Sequence, residues 1–232
     1  MLVSVIVPAL NEEKDIRPAV DAARRDYSSA EVEIIVVDGG SADRTIERVP
    51  DHARVIQAPR GRAVQMNRGA AAASGEIYVF CHADSRLPEG WREGVLDALR
   101  QPDVSGGAFR SLFLPERGLI LAFRNRFPFP VDWRWMYGDQ AQFMRRDTFE
   151  RVGGFPEIPL MEDVEMSRLL HREGRLVRLR LRTVTSSRRF LERGVLRQTL
   201  LNVWNMMRYL YLGATPQEIA RSYRSSREEG VG

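Results

Sequence analysis

The sequence has a single cysteine and lacks any long apolar run among its 232 residues. With Cys81 alone no internal disulfide can form, and this composition suits a reducing compartment such as the cytoplasm. No uninterrupted apolar stretch approaches the roughly 20 residues that a membrane span requires. Residues 1–8 lack the basic start and the small-residue cleavage site of a signal peptide, and we interpret them as part of a first strand.

Several signature motifs are also missing. No Gly-x-Gly-x-x-Gly follows a predicted strand, which argues against a dinucleotide-binding Rossmann site, and the absence of Gly-x-x-x-x-Gly-Lys-Ser/Thr excludes a P-loop. The chain has no Gly-x-Ser-x-Gly elbow and no Cys/His pattern with the spacing of a zinc site. Any chemistry must therefore rest on other groups of side chains.

The composition is otherwise globular, with 44% hydrophobic and 28% charged residues, which excludes disordered and fibrous proteins. The net charge of +4 is distributed unevenly, because residues 175–232 contain twelve arginines and four glutamates. Such a basic segment attracts phosphates and anionic head groups.

Apolar runs rich in β-branched residues alternate with helical patterns in the first half of the chain. The pattern predicts strands at residues 2–7, 33–38, 53–58 and 76–81, and helices at about 11–25, 41–49, 61–74 and 88–100. The second half is less regular, with predicted strands at 104–113, 140–145 and 176–184 and helices at 162–172, 195–212 and 216–224. The alternation predicts a single α/β domain with a mostly parallel sheet covered by helices on both faces.

Polar residues follow three of the predicted strands at their carboxyl ends, where open parallel sheets bind ligands. Asn11 follows the first strand, Asp38 ends the second, and Asp84 follows the fourth. A role as helix cap or turn residue would account for Asn11 or Ser41 alone. It does not account for two aspartates at strand tips, so we predict one binding site at this edge.

Six segments, taken in order, resemble the motifs of the family 2 glycosyltransferases, which have the GT-A fold. The segments are VIVPALNEE (5–13), VVDGGSADRT (36–45), GRAVQMNRG (61–69), HAD (82–84), GGF (153–155) and ED (162–163). The resemblance covers nearly the whole chain. It implies one GT-A domain over residues 1–232, with a nucleotide-binding half (1–101), an acceptor and catalytic half (102–190) and C-terminal helices (191–232).

Four shorter phrases resemble one small soluble bacterial subgroup of that family, commonly labelled an arsenosugar-biosynthesis type. They are QMN (65–67), HAD (82–84), YGDQ (137–140) and TSSRR (185–189).

The resemblance implies an enzyme that transfers a sugar from a nucleoside diphosphate to an acceptor hydroxyl, with inversion at the anomeric carbon. It also implies a divalent cation, Mn²⁺ or Mg²⁺. A UDP-sugar is favoured over a GDP-sugar as donor, and the acceptor is a small molecule or a lipid-linked hydroxyl. We expect no nucleic-acid partner, and a second copy of the chain or the inner membrane surface as a further partner of this cytoplasmic protein.

The resemblance also assigns roles to individual residues. The donor-binding residues are Pro8, Ala9, Asn11, Glu12, Asp38, Gly39, Arg62, Asn67, His82, Ala83, Asp84, Asp139, Arg188 and Arg189. Among them, Asp38 accepts a hydrogen bond from the base, Arg62 meets the phosphates, and Asp84 holds the cation. His82 replaces the first Asp of the family's Asp-x-Asp, where it ligates the metal, contacts the ribose or phosphate, or is structural.

On the acceptor side, the resemblance makes Asp163 the general base, with Glu162 beside it. An aromatic and polar cluster, Trp133, Trp135, Tyr137 and Gln140, is the candidate acceptor pocket.

Two alternatives remain open at this point. A sugar-1-phosphate nucleotidylyltransferase would share the architecture, but residues 8–12 are not the Gly-rich loop that such enzymes carry after strand one. A module that binds anions or a membrane surface through its basic segment would leave Asp38, Asp84 and Asp163 unexplained. The apolar stretch 203–212 suits a core helix, a dimer face or a membrane-surface helix, and we favour the first two.

Overall fold

The computed structural model describes residues 1–127 and 135–228, and within these ranges eight strands form one sheet. The strands are β1 (Val3–Ala9), β2 (Val32–Asp38), β3 (Arg54–Gln57), β4 (Ile77–Phe80), β5 (Ser85–Arg86), β6 (Val104–Leu114), β7 (Gln142–Arg145) and β8 (Arg175–Ser186). Their order across the sheet is β3-β2-β1-β4-β7-β6-β8-β5.

The strands β3, β2, β1 and β4 are all parallel to one another, as the sequence predicts. In contrast, β7 lies antiparallel between β4 and β6, while β6 and β8 are parallel and β5 is antiparallel to β8 at the edge. The predicted α/β fold with a mostly parallel sheet is confirmed.

The helices in the described ranges cover both faces of the sheet. They are α1 (Ile16–Arg24), α2 (Arg62–Ala72), α3 (Trp91–Leu99), α4 (Leu119–Arg126), α5 (Arg146–Arg151), α6 (Glu162–Glu173), α7 (Arg188–Arg193), α8 (Val195–Tyr211) and α9 (Pro216–Glu228). The short helices α4, α5 and α7 were not predicted. The helix predicted over 41–49 is wrong, because this segment forms only a 3-10 turn at Ile46–Arg48.

The hydrophobic core has one part on each face of the sheet. In β1, Val5 and Val7 pack with α1 and α3, whereas Ile6 packs with α2 on the opposite face. In β2, Ile34 and Ile35 face opposite sides in the same way. Because successive side chains of a strand point to opposite faces, a strand covered on both sides must be apolar throughout.

Two amides of α2 hold the surrounding loops in place. Gln65 Nε2 donates to the carbonyl oxygens of Ala9 and Val37, at 2.8 Å each, and so ties the carboxyl ends of β1 and β2 together. Asn67 Nδ2 donates to the carbonyl of Phe155, and its Oδ1 accepts from the Phe155 N–H, at 2.9 Å each. The Asn67 amide thus anchors the loop after α5, and its predicted contact with the donor stays a prediction.

The helix predicted over 195–212 is confirmed as α8, but it is not a core helix. Its buried residues are Gln198, Thr199, Asn205 and Met206, whereas large apolar side chains such as Leu200 (59% exposed) and Trp204 (56%) face solvent. No helix in the described part of the chain combines the length and the hydropathy of a membrane span.

Gly69 sets the distance between α2 and the sheet. A Cβ at this position would overlap Ile6 Cγ2 and lie 3.0 Å from Val37 Cγ2. Both neighbours are β-branched and buried, so they have few alternative rotamers. The helix can lie this close to the strands only with glycine here.

Replacing Gly69 by alanine should therefore lower the free energy of unfolding. Overpacking against two stiff side chains costs about 3 kcal/mol, and the better helix propensity of alanine returns about 1 kcal/mol. We expect a net loss of roughly 2 kcal/mol in urea unfolding. Arg68→Ala, exposed on the same helix, is the control and should change stability by less than about 0.5 kcal/mol. Unchanged stability of Gly69→Ala would contradict this packing.

Candidate active site

A cavity of about 260 Å³ lies beyond the carboxyl ends of β4, β6 and β8. It is bordered by the first residues of α2 and α6 and by the helices α7, α8 and α9. The predicted site residues that line it are Arg62, His82, Asp84, Tyr137, Asp139, Asp163 and Arg189. The structure thus brings Asp84 and Asp163, from opposite halves of the sequence, to one cavity.

Asp163 is fixed at the start of α6. Its Oδ2 accepts a hydrogen bond from the N–H of Gly138 (2.7 Å), and its Oδ1 accepts one from the N–H of Val164 (2.8 Å). A carboxylate in the first turn of a helix is also favoured by the helix dipole. The chain enters this turn through Met161, whose φ of 72° lies in the left-handed region. These contacts hold the Asp163 carboxylate at the cavity wall.

Asp84 is held by the edge of the sheet. Its carbonyl accepts from the N–H of Ser186 at the end of β8 (3.0 Å), and its Oδ1 accepts from Ser85 Oγ (3.3 Å). Burial, together with the charge of Asp84, raises the pKa of Glu12. The loops after β1 and β4 therefore share one electrostatic environment.

The His82 ring packs against the backbone of Gly138, where any Cβ would overlap the imidazole. Burial and the nearby charge of Arg62 lower the pKa of His82 below its ordinary range, although Asp84 and Asp163 oppose this shift. The imidazole is therefore neutral near pH 7, which is the form that ligates metals.

Arg62 and Glu162 form an ion pair in which the carboxylate is buried, with 2.9 Å between Nε and Oε1. Glu162 is only 1% exposed, while Arg62 is 36% exposed. Neither oxygen of Glu162 has a well-aligned hydrogen-bond donor among the described residues. Burial raises the pKa of Glu162, Asp163 adds to the shift, and Arg62 opposes it. Glu162 does not line the cavity and pairs with Arg62, which does; its catalytic role stays a prediction.

Asp38 forms a turn at the end of β2. Its carboxylate accepts hydrogen bonds from the N–H of Gly40 (3.0 Å), the N–H of Ser41 (3.1 Å) and Ser41 Oγ (2.5 Å). The side chain is 1% exposed and does not line the cavity. The structure thus gives Asp38 a role in its own turn, and its contact with a base stays a prediction.

Asn11 joins the first two loops rather than beginning a helix. Its φ is 55°, its N–H donates to Ser41 Oγ (2.9 Å), and its Oδ1 accepts from the N–H of Ala42 (2.8 Å). The helix α1 begins five residues later, at Ile16. The predicted donor residues Pro8, Ala9, Gly39 and Ala83 are buried and do not line the cavity, so their contact with a donor stays a prediction.

The two arginines at the start of α7 differ in their contacts. Arg188 forms ion pairs with Glu12 (3.1 Å) and Asp15 (3.6 Å), which attaches α7 to the loop after β1. Arg189 is exposed and lines the cavity. Of the two, Arg189 is therefore the one that borders the cavity.

The candidate acceptor residues are also separated by the structure. Tyr137 lines the cavity, while Gln140 is buried and accepts from the N–H of Tyr137 through Oε1 (3.2 Å). Trp135 lies under the guanidinium of Arg168, 5.2 Å from the ring centre, and does not line the cavity. Trp133 lies outside the described residues.

The far wall of the cavity was not predicted. It is formed by Phe113, Arg124, Phe190, Gln198, Asn202, Val203, Asn205, Met206, Ile219 and Tyr223. Asn205 is 2% exposed, and its Nδ2 has no hydrogen-bond acceptor in the described part of the chain. The available sequence signal was the pair of amides Asn202 and Asn205, which lie three residues apart in the helix and so share one of its sides.

The candidate metal ligands after β4, His82 and Asp84, meet the requirements of a divalent cation only in part. No group of three His, Cys, Asp or Glu side chains suited to a metal occurs among residues 1–127 and 135–228. Asp84 and the neutral His82 nevertheless line the same cavity. Mg²⁺ and Mn²⁺ sites commonly use one or two carboxylates and complete the shell with substrate phosphates. The two residues fit a cation that arrives with a phosphorylated ligand.

The Arg62–Glu162 pair generates a prediction about stability. Arg62→Met should lower the free energy of unfolding by about 2–3 kcal/mol near pH 7, because it leaves a buried carboxylate without its cation. The loss should be smaller near about pH 5, because Glu162 has a folded-state pKa above its unfolded value and takes up a proton as the pH falls. Urea unfolding of the wild type and of Arg62→Met at both pH values measures these differences in the free energy of unfolding.

The matched control for this experiment is the double variant Arg62→Met/Glu162→Gln. It lacks both ionisable groups of the pair, so we expect part of the stability to return and the pH dependence caused by Glu162 to disappear. Equal pH profiles for the single and double variants would contradict the assigned pairing.

Comparison with known proteins identifies the family. The model of the family "Glycosyl transferase family 2" matches residues 4–153, more than half of the chain. The probable glycosyltransferase YdaM of Bacillus subtilis (strain 168) is 29% identical over 191 residues, which cover 71% of this chain and 45% of YdaM. The uncharacterized glycosyltransferase EpsJ of the same strain is 31% identical over 180 residues, covering 65% and 50%. The chain thus spans about half the length of the curated relatives that it matches.

Solved structures show the same fold. Staphylococcus aureus TarS, in complex with UDP, has a TM-score of 0.64 at 19% identity, over 80% of this chain and 60% of that one. The mannosyltransferase PcManGT of Pyrobaculum calidifontis, in complex with GDP-Man and Mn²⁺, has a TM-score of 0.59 at 25% identity, over 78% and 56%. The arsenosugar-type subgroup stays a prediction, whereas the family and the fold expected from the six motifs are confirmed: the chain belongs to glycosyltransferase family 2 and has the GT-A fold.

Proposed function

We propose that the chain is a glycosyltransferase that moves a sugar from a nucleoside diphosphate donor to an acceptor hydroxyl. The observation that carries this proposal is that Asp84 and Asp163 line one cavity together with Arg62 and Arg189. The cavity is lined by three guanidinium groups (Arg62, Arg124 and Arg189) and three carboxylates (Asp84, Asp139 and Asp163), which suits a donor that brings both phosphates and a reacting carbon. The family membership favours this function over the nucleotidylyltransferase and binding-module alternatives.

The donor diphosphate is assigned to the basic side of the cavity. Arg62 is the first residue of α2, and a helix start offers free N–H groups and a positive dipole end to an anion. Arg189 faces the same cavity, and guanidinium groups form strong charge-assisted hydrogen bonds with phosphate. We keep a UDP-sugar as the proposed donor, and the PcManGT complex with GDP-Man makes a GDP-sugar the second candidate.

Asp84 and His82 are the residues proposed to hold a divalent cation. The neutral imidazole of His82 favours Mn²⁺ over Mg²⁺, and the PcManGT complex contains Mn²⁺. When bound, such a cation offsets the negative charge that develops on the departing diphosphate.

Asp163 is proposed as the general base. The Gly138 N–H holds one carboxylate oxygen at 2.7 Å, and the Val164 N–H holds the other, so the carboxylate has a fixed direction. The acceptor oxygen would attack the anomeric carbon while its proton passes to Asp163. The bond between that carbon and the diphosphate oxygen breaks, and a single displacement of this kind inverts the anomeric centre.

The first test addresses the base. Asp163→Asn should reduce turnover by at least ~100-fold, the usual scale for loss of a general base, while donor binding changes little. The measurement is release of nucleoside diphosphate from a panel of UDP- and GDP-sugars, with acceptors identified by mass spectrometry. Asp97→Asn, on the exposed surface of α3, is the matched control. Retained turnover in Asp163→Asn would reject the assignment.

The second test addresses the cation. UDP with Mn²⁺ should raise the melting temperature of the wild type more than UDP alone, because a ligand that binds only the folded state stabilises it. Asp84→Asn should lose this metal-dependent increment but keep the melting temperature of the free protein within a few degrees. If metal adds nothing for the wild type with either UDP or GDP, Asp84 does not hold a cation.

A further inference from the structure

One surface of the molecule is unusually apolar, and it is formed by α4 and α8. We call it the α4–α8 face, and its exposed large side chains are Leu119, Phe123, Phe127, Leu196, Leu200, Trp204, Met207, Tyr211 and Leu212. The exposed fractions reach 89% for Leu119 and 62% for Tyr211. Soluble monomers rarely expose contiguous apolar patches of more than a few hundred Å², and larger ones mark interaction sites.

The side chains on α8 form a regular stripe. Leu196, Leu200, Trp204, Met207 and Tyr211 follow one another at steps of four, four, three and four residues, which places them along one side of the helix. A different set of α8 side chains, among them Asn202 and Met206, lines the cavity. The stripe therefore serves neither the core nor the cavity.

The second element of the face adds two exposed aromatic rings. Phe123 and Phe127 on α4 lie 4.9 Å apart between ring centres, and both are more than half exposed. The helix is attached to the body by Leu121, which is fully buried, and by Asn125, which bonds to the backbone of Phe113 on β6. The rings are thus presented outward by an anchored helix.

The charge around the face has one predominant sign. Residues 114–127 and 188–212, which contain the two helices of the face, have eight arginines and two glutamates, with no lysine and no aspartate. Three of these arginines are used elsewhere, because Arg188 pairs with Glu12 and Asp15 while Arg124 and Arg189 line the cavity, so five remain. One of the two glutamates, Glu116, already bonds Asn125 and Arg126. Arginine side chains can lay their apolar stems along a hydrophobic surface while their guanidinium groups reach anionic head groups.

The exposed apolar side chains and the positive charge beside them distinguish between two candidate occupants of the face, a second copy of the chain and an anionic membrane. Two copies of the chain that met through this face would place the same basic segments against each other, because a two-fold interface pairs a surface with itself. A bilayer with anionic lipids offers an apolar interior and a complementary charge. Aromatic and leucine side chains on one face with arginines beside them are typical of helices that lie in the membrane interface.

We propose that the α4–α8 face binds the surface of an anionic membrane. This proposal rests on the exposed side chains and their charge, and it is independent of the reaction that the cavity performs.

The test is co-sedimentation of the full chain with vesicles of phosphatidylcholine alone or with phosphatidylglycerol added. We expect binding that is at least ~10-fold stronger to the anionic vesicles, because a contribution of about 1 kcal/mol comes from each arginine near the surface. Leu200→Ser/Trp204→Ser should weaken this binding by at least ~10-fold, since two large apolar side chains no longer leave water. Circular dichroism should show an unchanged fold, because both positions are exposed.

The matched control is Ile46→Ser, which replaces another exposed apolar residue (41%) between β2 and β3, at the opposite end of the strand order. It should bind vesicles like the wild type. The proposal is overturned if anionic vesicles bind no better than neutral ones, or if the double variant binds as well as the wild type. It is also overturned if light scattering shows a dimer that the double variant abolishes, since a second copy would then occupy the face.

Discussion

The buried carboxylate of Glu162 is the constraint on which the site depends. It is almost fully removed from water, and the charge that compensates it comes from Arg62, because a lone buried carboxylate would cost several kcal/mol. Since Arg62 begins α2 and Glu162 begins α6, their pairing fixes the starts of two helices that are a hundred residues apart in the sequence. Asp163, the next residue along, is thereby placed at the cavity that Asp84 reaches from β4.

The first half of the fold could be predicted from the sequence because its strands are buried on both faces. Continuous apolar runs such as Val32–Asp38 leave little choice of secondary structure. The roles of the loop residues could not be predicted in the same way. Asp38 and Asn11 have the residue types and positions of ligand-binding groups, yet their polar atoms bond the loop that contains Ser41 and Ala42. A sequence alone does not distinguish a carboxylate that stabilises its own turn from one that binds a ligand.

Among the C-terminal helices, α8 reverses the usual relation between polarity and burial. In α8, Gln198 and Asn205 are buried, whereas Leu200 and Trp204 are exposed. The rule that apolar residues are buried predicts that the wrong side of α8 faces the core. For that reason the interpretation of α8 as a core helix is wrong. The family model ends at residue 153, so these helices lie beyond the part of the chain that it describes. They supply much of the cavity wall and therefore influence the shape of any ligand that the cavity can hold.

The ion pair also determines how Arg62 meets a ligand. Its Nε faces Glu162, which leaves the two terminal nitrogens of the guanidinium for the cavity that Arg62 lines. The same charge helps to hold His82 neutral, against the opposing effect of Asp84 and Asp163. Because the ion pair already fixes the Arg62 side chain, little conformational freedom would be lost on contact with a phosphate. Preorganised charge of this kind is the main means by which a site stabilises a charged leaving group. In the proposed reaction, the buried glutamate thus orients Arg62 toward a ligand that Glu162 itself does not touch.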